Sequence, residues 1–395
     1  VLIIGTSLPT PLYASYERAF GMSALGITLT VAVYAAAVIA SLLVCGPLSD
    51  AYGYRIVLVY AFIAAVGGAV LLAAAGGSAW LFAGRTAQGL SVGAATGALT
   101  AGLVLTEPEG RHARASLIAS AATTAGCGLG PVLGGALAQY AAAPRVLCYL
   151  VEIGLLMPAI AVILMLPAGL GVTGLGWQPR PPRVPAPIRR AFVIPAAVSC
   201  IAWSIAYVVL TLVPSYAAAS LGGSNLLVDG SASGSLLLCA VAGQILFRSW
   251  DAGRAQAAGL ALLVIGVLGL IAAGMLGSAP VLFATIAIAG LGQGIGFMGS
   301  LGRLNAIAPA AERAETVSMF YVVTYVGGGL ATVGVGLLAT RLTLTAAVQV
   351  FAAVFAAFGV MTLAALLAAR DPARTAPAPD GAEPPDGILA DPRMT

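Results

Sequence analysis

Residues 56–75 and 193–221 contain no charged side chain. Uncharged runs of that length leave a chain few ways to fold. About 20 apolar residues in a helix cross the hydrocarbon core of a bilayer. In lipid every backbone N–H and C=O must be bonded internally, so only helices and closed barrels span it. Barrel strands alternate apolar and polar side chains, and these runs do not. Charged residues make up 8% of the 395-residue chain and hydrophobic ones 60%. A soluble domain carries about 25% charged residues, so this chain could not clothe a surface facing water. The expectation is an all-α membrane protein embedded in a lipid bilayer.

Apolar runs read against charges and Gly/Pro breaks give about twelve spans, near 1–19, 24–45, 56–76, 79–105, 115–140, 146–167, 191–219, 231–249, 256–277, 279–305, 316–339 and 345–369. Short turns at Gly76-Gly77-Ser78 and Gly277-Ser278 must split runs too long for one helix. The longest internal break, 168–190, holds Gln178-Pro179-Arg180-Pro181-Pro182-Arg183, and dense proline keeps a segment extended. It separates an N-terminal six-helix bundle, 1–167, from a C-terminal one, 191–369. The tail, 370–395, is rich in Pro, Ala and Asp, and its composition suits disorder. Basic residues favour cytoplasmic loops. With the N-terminus inside, Arg18, Arg145 and Arg341 alone fall outside, and Arg85 falls within a span. The remaining arginines collect on the cytoplasmic side, which puts both termini there.

Several function classes drop out. There is no lysine and no G-x-x-x-x-G-K-[ST], so a phosphate-cradling P-loop is missing. The net charge of +4 comes from arginines at loop positions and does not point to nucleic acid. Cys45, Cys127, Cys148, Cys200 and Cys239 lie in or beside apolar stretches with no C-x-x-C pair, as small hydrophobes do. The single histidine, His112, cannot assemble a zinc site or a triad. No metal, cofactor or enzymatic constellation is expected. Val1 already lies in an apolar segment; a cleavable signal peptide would need a basic start, so a missing short leader or a non-AUG start codon are the alternatives.

The halves echo each other at an offset of about 200 residues. Gly126, Gly128, Leu129 and Gly135 match Gly327, Gly329, Leu330 and Gly336. Gln88-Gly89 matches Gln293-Gly294, and Gly46 corresponds loosely to Gly243. Two like bundles place a substrate site at their interface near mid-bilayer.

Three motifs carry a family resemblance. Gly46-Pro47-Leu48-Ser49-Asp50-Ala51-Tyr52-Gly53-Tyr54-Arg55 follows span two and resembles the G-x-L-x-D-R-x-G-R-R signature of the major facilitator superfamily. Gly46, Leu48, Asp50, Gly53 and Arg55 match; Ala51 and Tyr54 replace the usual basic residues. The resemblance implies a loop that latches the two bundles and is remade in each transport cycle. Span four carries Arg85-Thr86-Ala87-Gln88-Gly89, which looks like the family's R-x-x-Q-G. A charge within a span is expensive and usually functional or paired, or it snorkels to the interface. In proton-coupled members the matching arginine is linked to proton transfer. Span five carries Gly126-Cys127-Gly128-Leu129-Gly130-Pro131-Val132-Leu133-Gly134-Gly135, which fits G-x-x-x-G-P-x-x-G-G, a pattern associated with the exporter (antiporter) branches. Its glycines offer a face for close helix approach, and Pro131 bends the helix.

The resemblance implies two pseudo-symmetric six-helix bundles working by alternating access. The carboxylates available to carry a proton are Glu17 near the outer end of span one and Glu152 about seven residues into span six. Asp229 is read as an outer-loop residue. Burial and a nearby arginine pull a carboxyl pKa in opposite directions, so Arg85 could tune either glutamate. Cavity placement favours Glu17 and depth favours Glu152. Trp203 and Tyr207, like Tyr321 and Tyr325, stand four apart on one helix face. With Gln88 and Gln293 they are candidate cavity residues; aromatic anchors facing lipid are the alternative.

The sequence therefore reads as a secondary transporter exporting a small organic compound, a drug or antibiotic-like metabolite, in exchange for protons. It is expected as a monomer, and the lysine-free, Ala/Gly/Arg-rich composition suggests a bacterial cytoplasmic (inner) membrane. An uptake symporter for a sugar or organic acid, and a non-transporting receptor, are the alternatives.

Overall fold

The computed structural model describes residues 1–106, 112–167, 183–221, 225–309 and 313–369. Within them the chain forms thirteen α-helices and two 3-10 turns, with no strand among the described residues. The helices are α1 (Leu2–Ser7), α2 (Tyr13–Phe20), α3 (Ala24–Tyr52), α4 (Tyr54–Ala73), α5 (Ser78–Thr106), α6 (His112–Tyr140) and α7 (Pro144–Leu164) in the first half. The second half holds α8 (Arg189–Leu221), α9 (Leu226–Leu246), α10 (Ala252–Leu276), α11 (Ala279–Ile307), α12 (Arg313–Leu338) and α13 (Leu344–Ala368). The turns are Thr10–Leu12 and Ala186–Ile188. Helices α1 and α2 with the turn between them make one interrupted crossing. The remaining eleven helices complete the expected twelve.

Ten of the helices are long and apolar enough to cross a membrane. The two crossings outside that set are the interrupted first one and α5, which carries Arg85 and Gln88. Together with α7 they build the polar centre of the first half.

The interruption follows from two prolines. Pro9 has no N–H to offer the carbonyl of Gly5 four residues back, and Pro11 has none for Ser7. The helix therefore stops at Ser7, passes through the 3-10 turn, and restarts at Tyr13. At its far end Gly21 caps α2 at φ 61°, and Gly277 caps α10 in the same left-handed conformation at φ 58°. Chain alternation puts both turns on one face of the bundle, called here the Gly21 face. The opposite face carries the α3–α4 junction.

That junction corrects one expectation. The segment from Gly46 was read as a loop, but α3 stays helical through Tyr52. The whole reversal is concentrated in Gly53, at φ 88° and ψ 153°. Only glycine adopts that backbone without strain. Asp229 is corrected too: it is buried in the first turn of α9, after an Asn225 cap whose side chain accepts from the N–H groups of Leu227 and Val228.

Within each half the helices pack mainly on one another. The first half couples α3, α4 and α7 to α5, directly or through one another; the second couples α9, α10 and α8 to α11. The halves meet along two seams, α6 against α9 and α3 against α12. Helix α6 packs on α1 in its own half and on α9 in the other, and α12 packs on α8 and α3 in the same way. This is the repeat seen in the sequence, expressed as a pseudo-two-fold.

The span-five motif explains how α6 serves as a wedge. Gly126, Gly130 and Gly134, four apart, face α1: a side chain on Gly130 would strike the Ile4 carbonyl and Ser7, and one on Gly134 the Leu8 carbonyl. Gly128, Pro131 and Gly135 face α9, where Gly230 and Gly234 approach the Pro131 and Gly128 carbonyls. Small residues on both sides let the backbones touch, the principal source of helix affinity in lipid. Polar bonds close the seam near both ends. The Gln139 side-chain oxygen accepts from the Leu226 N–H at 2.9 Å near the Gly21 face. Toward the other face Ser120 donates to Gln244 at 3.2 Å, and Gln244 donates to Thr124 at 3.3 Å.

Gly234→Val would drive a side chain into the Gly128 carbonyl and to within contact of Val132. Gly154 has nothing within 4 Å of an added Cβ. We expect G234V to lose about 1–3 kcal/mol, typical of overpacking, seen as a lower thermal midpoint in detergent. G154V is expected to stay close to wild type.

Candidate functional site

The polar centre of the first half is built from three helices that each contribute residues three apart: Tyr13 and Tyr16 on α2, Arg85 and Gln88 on α5, Tyr149 and Glu152 on α7. Residues at that spacing share a helix face. All six are buried; Arg85 is 5% exposed and Glu152 3%. Snorkelling is thereby set aside, since Arg85 turns inward and not to the interface.

The terminal nitrogens of Arg85 bond the interrupted crossing and Gln88, and its Nε has no partner among the described residues. One terminal nitrogen donates to the Thr6 carbonyl at 2.5 Å and to Gln88 Oε1 at 3.0 Å, and the other donates to the Tyr13 hydroxyl at 3.1 Å. Its guanidinium lies 4.8 Å from the centroid of the Tyr34 ring, within reach of the negative π-face. Gln88 spends its amide group on two acceptors. It donates to the Gly5 carbonyl at 3.3 Å and to both oxygens of Glu152, at 3.2 and 3.3 Å. The Gly5 carbonyl is the one that Pro9 leaves without a helical partner. The proline break and the R-x-x-Q sequence thus complete each other.

Gly5 is required for this. A Cβ there would overlap the Glu152 carboxyl group and come to 2.7 Å of its Cγ. The carboxylate lies directly against bare backbone, joined to the arginine through the glutamine amide. A buried charge without partners costs several kcal/mol. Here the arginine and the acid share one neutral bridge, the Gln88 amide.

The second half answers with aromatics. Trp203 packs edge-on to Phe297 (centroids 5.7 Å apart) and beside Tyr207 (6.1 Å). Tyr207 meets Tyr325 at 6.3 Å, and Phe297 meets Tyr321 at 6.4 Å. The tyrosines Tyr321 and Tyr325 also pack against the core that contains Tyr34, so the cluster reaches the first half. These four expected residues come together instead of facing lipid separately. Gln293, the counterpart of Gln88, lies one turn before Phe297 and is fully buried. Neither of its amide atoms has a partner among the described residues, nor has the indole nitrogen of Trp203. Buried polar atoms are almost always bonded, so these three are exceptions.

Other expected residues lie apart. Glu17 is only half-buried near the end of α2, away from the Arg85 bonds. Of the gating segment, Arg55 donates to the Leu166 carbonyl at 3.2 Å, tying α4 to the end of α7; the side chain of Asp50 lies outside the described residues. The sequence reading missed Gly5, Thr6, Tyr13, Tyr34, Tyr16 and Tyr149. The pair Pro9 and Pro11 was the available signal, because each proline announces a carbonyl in need of a donor.

The sequence profile described as the Major Facilitator Superfamily matches residues 1–332. No curated protein sequence matches the chain. Among solved structures it is similar to a bacterial homologue of the human lysosomal transporter Spinster in its inward-facing, unoccupied conformation, with TM-score 0.71 and 17% identity over 96% of each chain. The inward-facing, occupied form of that homologue gives TM-score 0.68 at 16% identity over 94% of each chain. A peptide transporter, POT, in complex with alafosfalin gives TM-score 0.73 at 17% identity, covering 93% of this chain and 91% of that one.

Arg85→Lys keeps the charge but replaces a planar fork with a point charge. It cannot serve the Thr6 carbonyl, Gln88 and Tyr13 together. We expect R85K to lose about 1–3 kcal/mol, the cost of a buried polar group left unmet, read as a lower thermal midpoint in detergent.

Proposed function

The chain belongs to the Major Facilitator Superfamily, and on that premise we propose that it is a proton antiporter that exports small organic compounds. Membership makes it a multi-pass membrane transporter of small molecules and not an enzyme. The finer reading rests on one observation: Glu152, buried and bound through Gln88 to Arg85, beside a break in the first crossing.

Glu152 carries the proton. Its ionised form is attracted to Arg85 through the bridge, and its protonated form is not. Protonation therefore changes the attraction between α7, α5 and α1, the last of which is wedged on α6. Helix α6 in turn forms the α9 seam, so a charge change in one half reaches the contact between halves. Alternating access uses the α6–α9 and α3–α12 seams as the surfaces along which the bundles rock. The 1–167 and 191–369 bundles are the moving bodies. The Gly46, Asp50, Gly53 and Arg55 segment latches the face opposite Gly21, which is the cytoplasmic side by the arginine bias.

The substrate binds against Trp203, Tyr207, Tyr321 and Tyr325, with the Gln293 amide and Trp203 N–H as its polar contacts. Such a wall suits an aromatic or lipophilic compound with one or two hydrogen-bonding groups, the chemistry of many drugs and antibiotic-like metabolites. The glycine-proline motif of α6, placed on the seam, supports export over uptake. The protein works as a monomer in the cytoplasmic membrane of a bacterium, with both termini inside.

Purified protein in proteoliposomes tests this with a panel of aromatic dyes and an imposed pH gradient. Wild type is expected to move a dye against the proton gradient and to release protons as dye enters. Glu152→Gln is expected to abolish gradient-driven movement while keeping dye counterflow; Glu17→Gln is expected to keep both. Normal pH-dependent transport in E152Q would sink the assignment, and co-directional dye and proton flux would replace export with symport.

A further inference from the structure

Asp229 is a buried acid that the site described so far leaves unused. It lies in the first turn of α9 and is 5% exposed. An acid at that place in a helix commonly accepts from the free N–H groups there. Here all four are already bonded. The Leu226 N–H donates to the Gln139 side chain of α6, and those of Leu227 and Val228 donate to the Asn225 side chain. The N–H of Asp229 itself donates to the Asn225 carbonyl at 3.1 Å. Ser233, one turn on, donates its hydroxyl to the Asp229 backbone carbonyl at 3.1 Å and not to the carboxyl group. The carboxyl group has no hydrogen bond or ion pair among the described residues.

The face of α9 that carries Asp229 is covered by the first half. Leu226, three residues before it and on the same helix face, packs against the core that holds Leu8, Leu12 and Ala138. Gly230, the next residue, stands against the Pro131 carbonyl and the Pro11 ring. The turn Thr10–Leu12 and α6 thus close over this end of α9, and α8 and α11 are its other neighbours. Neither α6 nor α11 brings a charged side chain to this end. The titratable groups on the packed elements are Tyr13 after the turn, Tyr207 further along α8 and Cys239 on α9 itself. The charged side chains described at the Gly21 face are Glu17, Arg18, Arg145 and Arg341. None of these groups bonds or pairs with Asp229.

A carboxylate enclosed without a partner is far costlier than the neutral acid, and the α9 dipole offsets only a small part of that cost. On the alternating-access reading above, and independently of Glu152, we propose that Asp229 is a proton-binding site that must be filled before the Gly21 face closes. When the first half moves off α9, water at this face reaches the carboxylate, and a carboxylate oxygen takes up a proton from it. Closure then buries a neutral acid. On reopening the proton returns to the same water, so no other bond changes and this residue carries no proton across the membrane. The pH at the Gly21 face therefore sets its own gate: acid favours the closed arrangement, and alkali favours the open one.

Pulsed electron spin resonance on the full chain in nanodiscs tests the site without any substrate. Spin labels at Tyr140→Cys and Leu342→Cys, two exposed positions on opposite halves of the Gly21 face, report open and closed populations as long and short distances. The native cysteines are replaced by alanine; should that chain not fold, azide-bearing residues at the same two positions carry the labels. The measurement is made in Glu152→Gln, which silences the other acid. There the open-to-closed ratio is expected to rise with pH by up to about tenfold per unit, the linkage of one proton. Adding Asp229→Asn, a neutral mimic of the filled site, is expected to hold the face closed at every pH. Should D229N not fold, Asp229→Ala, also neutral, takes its place. A flat response in E152Q overturns the site; if wild type still responds, the pH dependence belongs to Glu152 and the carrier assignment stands. A response that persists in the E152Q/D229N variant overturns the site as well. One unchanging distance in wild type at every pH overturns alternating access and the site together.

Discussion

Carbonyls without helical partners organise the first half of this protein. Lipid offers no donor to a free C=O, so a helix broken within the bilayer must find donors in its neighbours. Pro9 creates that need at the Gly5 carbonyl, which Gln88 meets, and Arg85 bonds the neighbouring Thr6 carbonyl where the helix breaks off. The same two side chains then hold Glu152. One set of bonds therefore closes the broken crossing and positions an ionisable acid. The acid is therefore tied to the same donors that hold the backbone.

The remainder of the architecture carries that local event outward. Helix α6 touches α1 with one row of glycines and α9 with another. A shift of the broken crossing therefore bears directly on the contact between halves. The equivalent wedge, α12, lies between α8 and α3, where Gly327 and Gly328 meet Cys200 and Tyr207, and Gly336 meets Thr28. Glycine-lined seams suit a sliding contact, since no side chain must be lifted out of a pocket. Few polar bonds add to the α6–α9 seam, those of Gln139 and Gln244 near its two ends.

The two halves share a backbone plan and differ in chemistry. Gln88 is fully engaged and Gln293 is not. The difference lies in the first helix of each half. The α1–α2 crossing is broken, whereas α8 runs as one 33-residue helix. Among the described residues Gln293 has no bonded partner, and it lies one turn from Phe297 in the aromatic cluster. A duplicated scaffold thus carries a charged, hydrogen-bonded centre in one half and an aromatic cluster in the other.

Much of this was legible before any coordinates. Long uncharged runs determined that the chain is helical and membrane-embedded, because lipid leaves no other option for the backbone. Glycine and proline spacing determined where helices approach closely, and Arg85 and Glu152 stood out because charge in a span is costly. What the chain by itself left open was pairing. The sequence offered both Glu17 and Glu152 but not their surroundings; the fold lays Glu152 against Gly5 and Gln88 and leaves Glu17 half-buried near the end of α2, since which helix faces which is a long-range packing result. Tyr16 and Tyr149, far apart along the chain, carry no local signal at all. The turn at Gly53 shows the same division: the residue was visible in the sequence, but only the tertiary structure showed that α3 stays helical up to it.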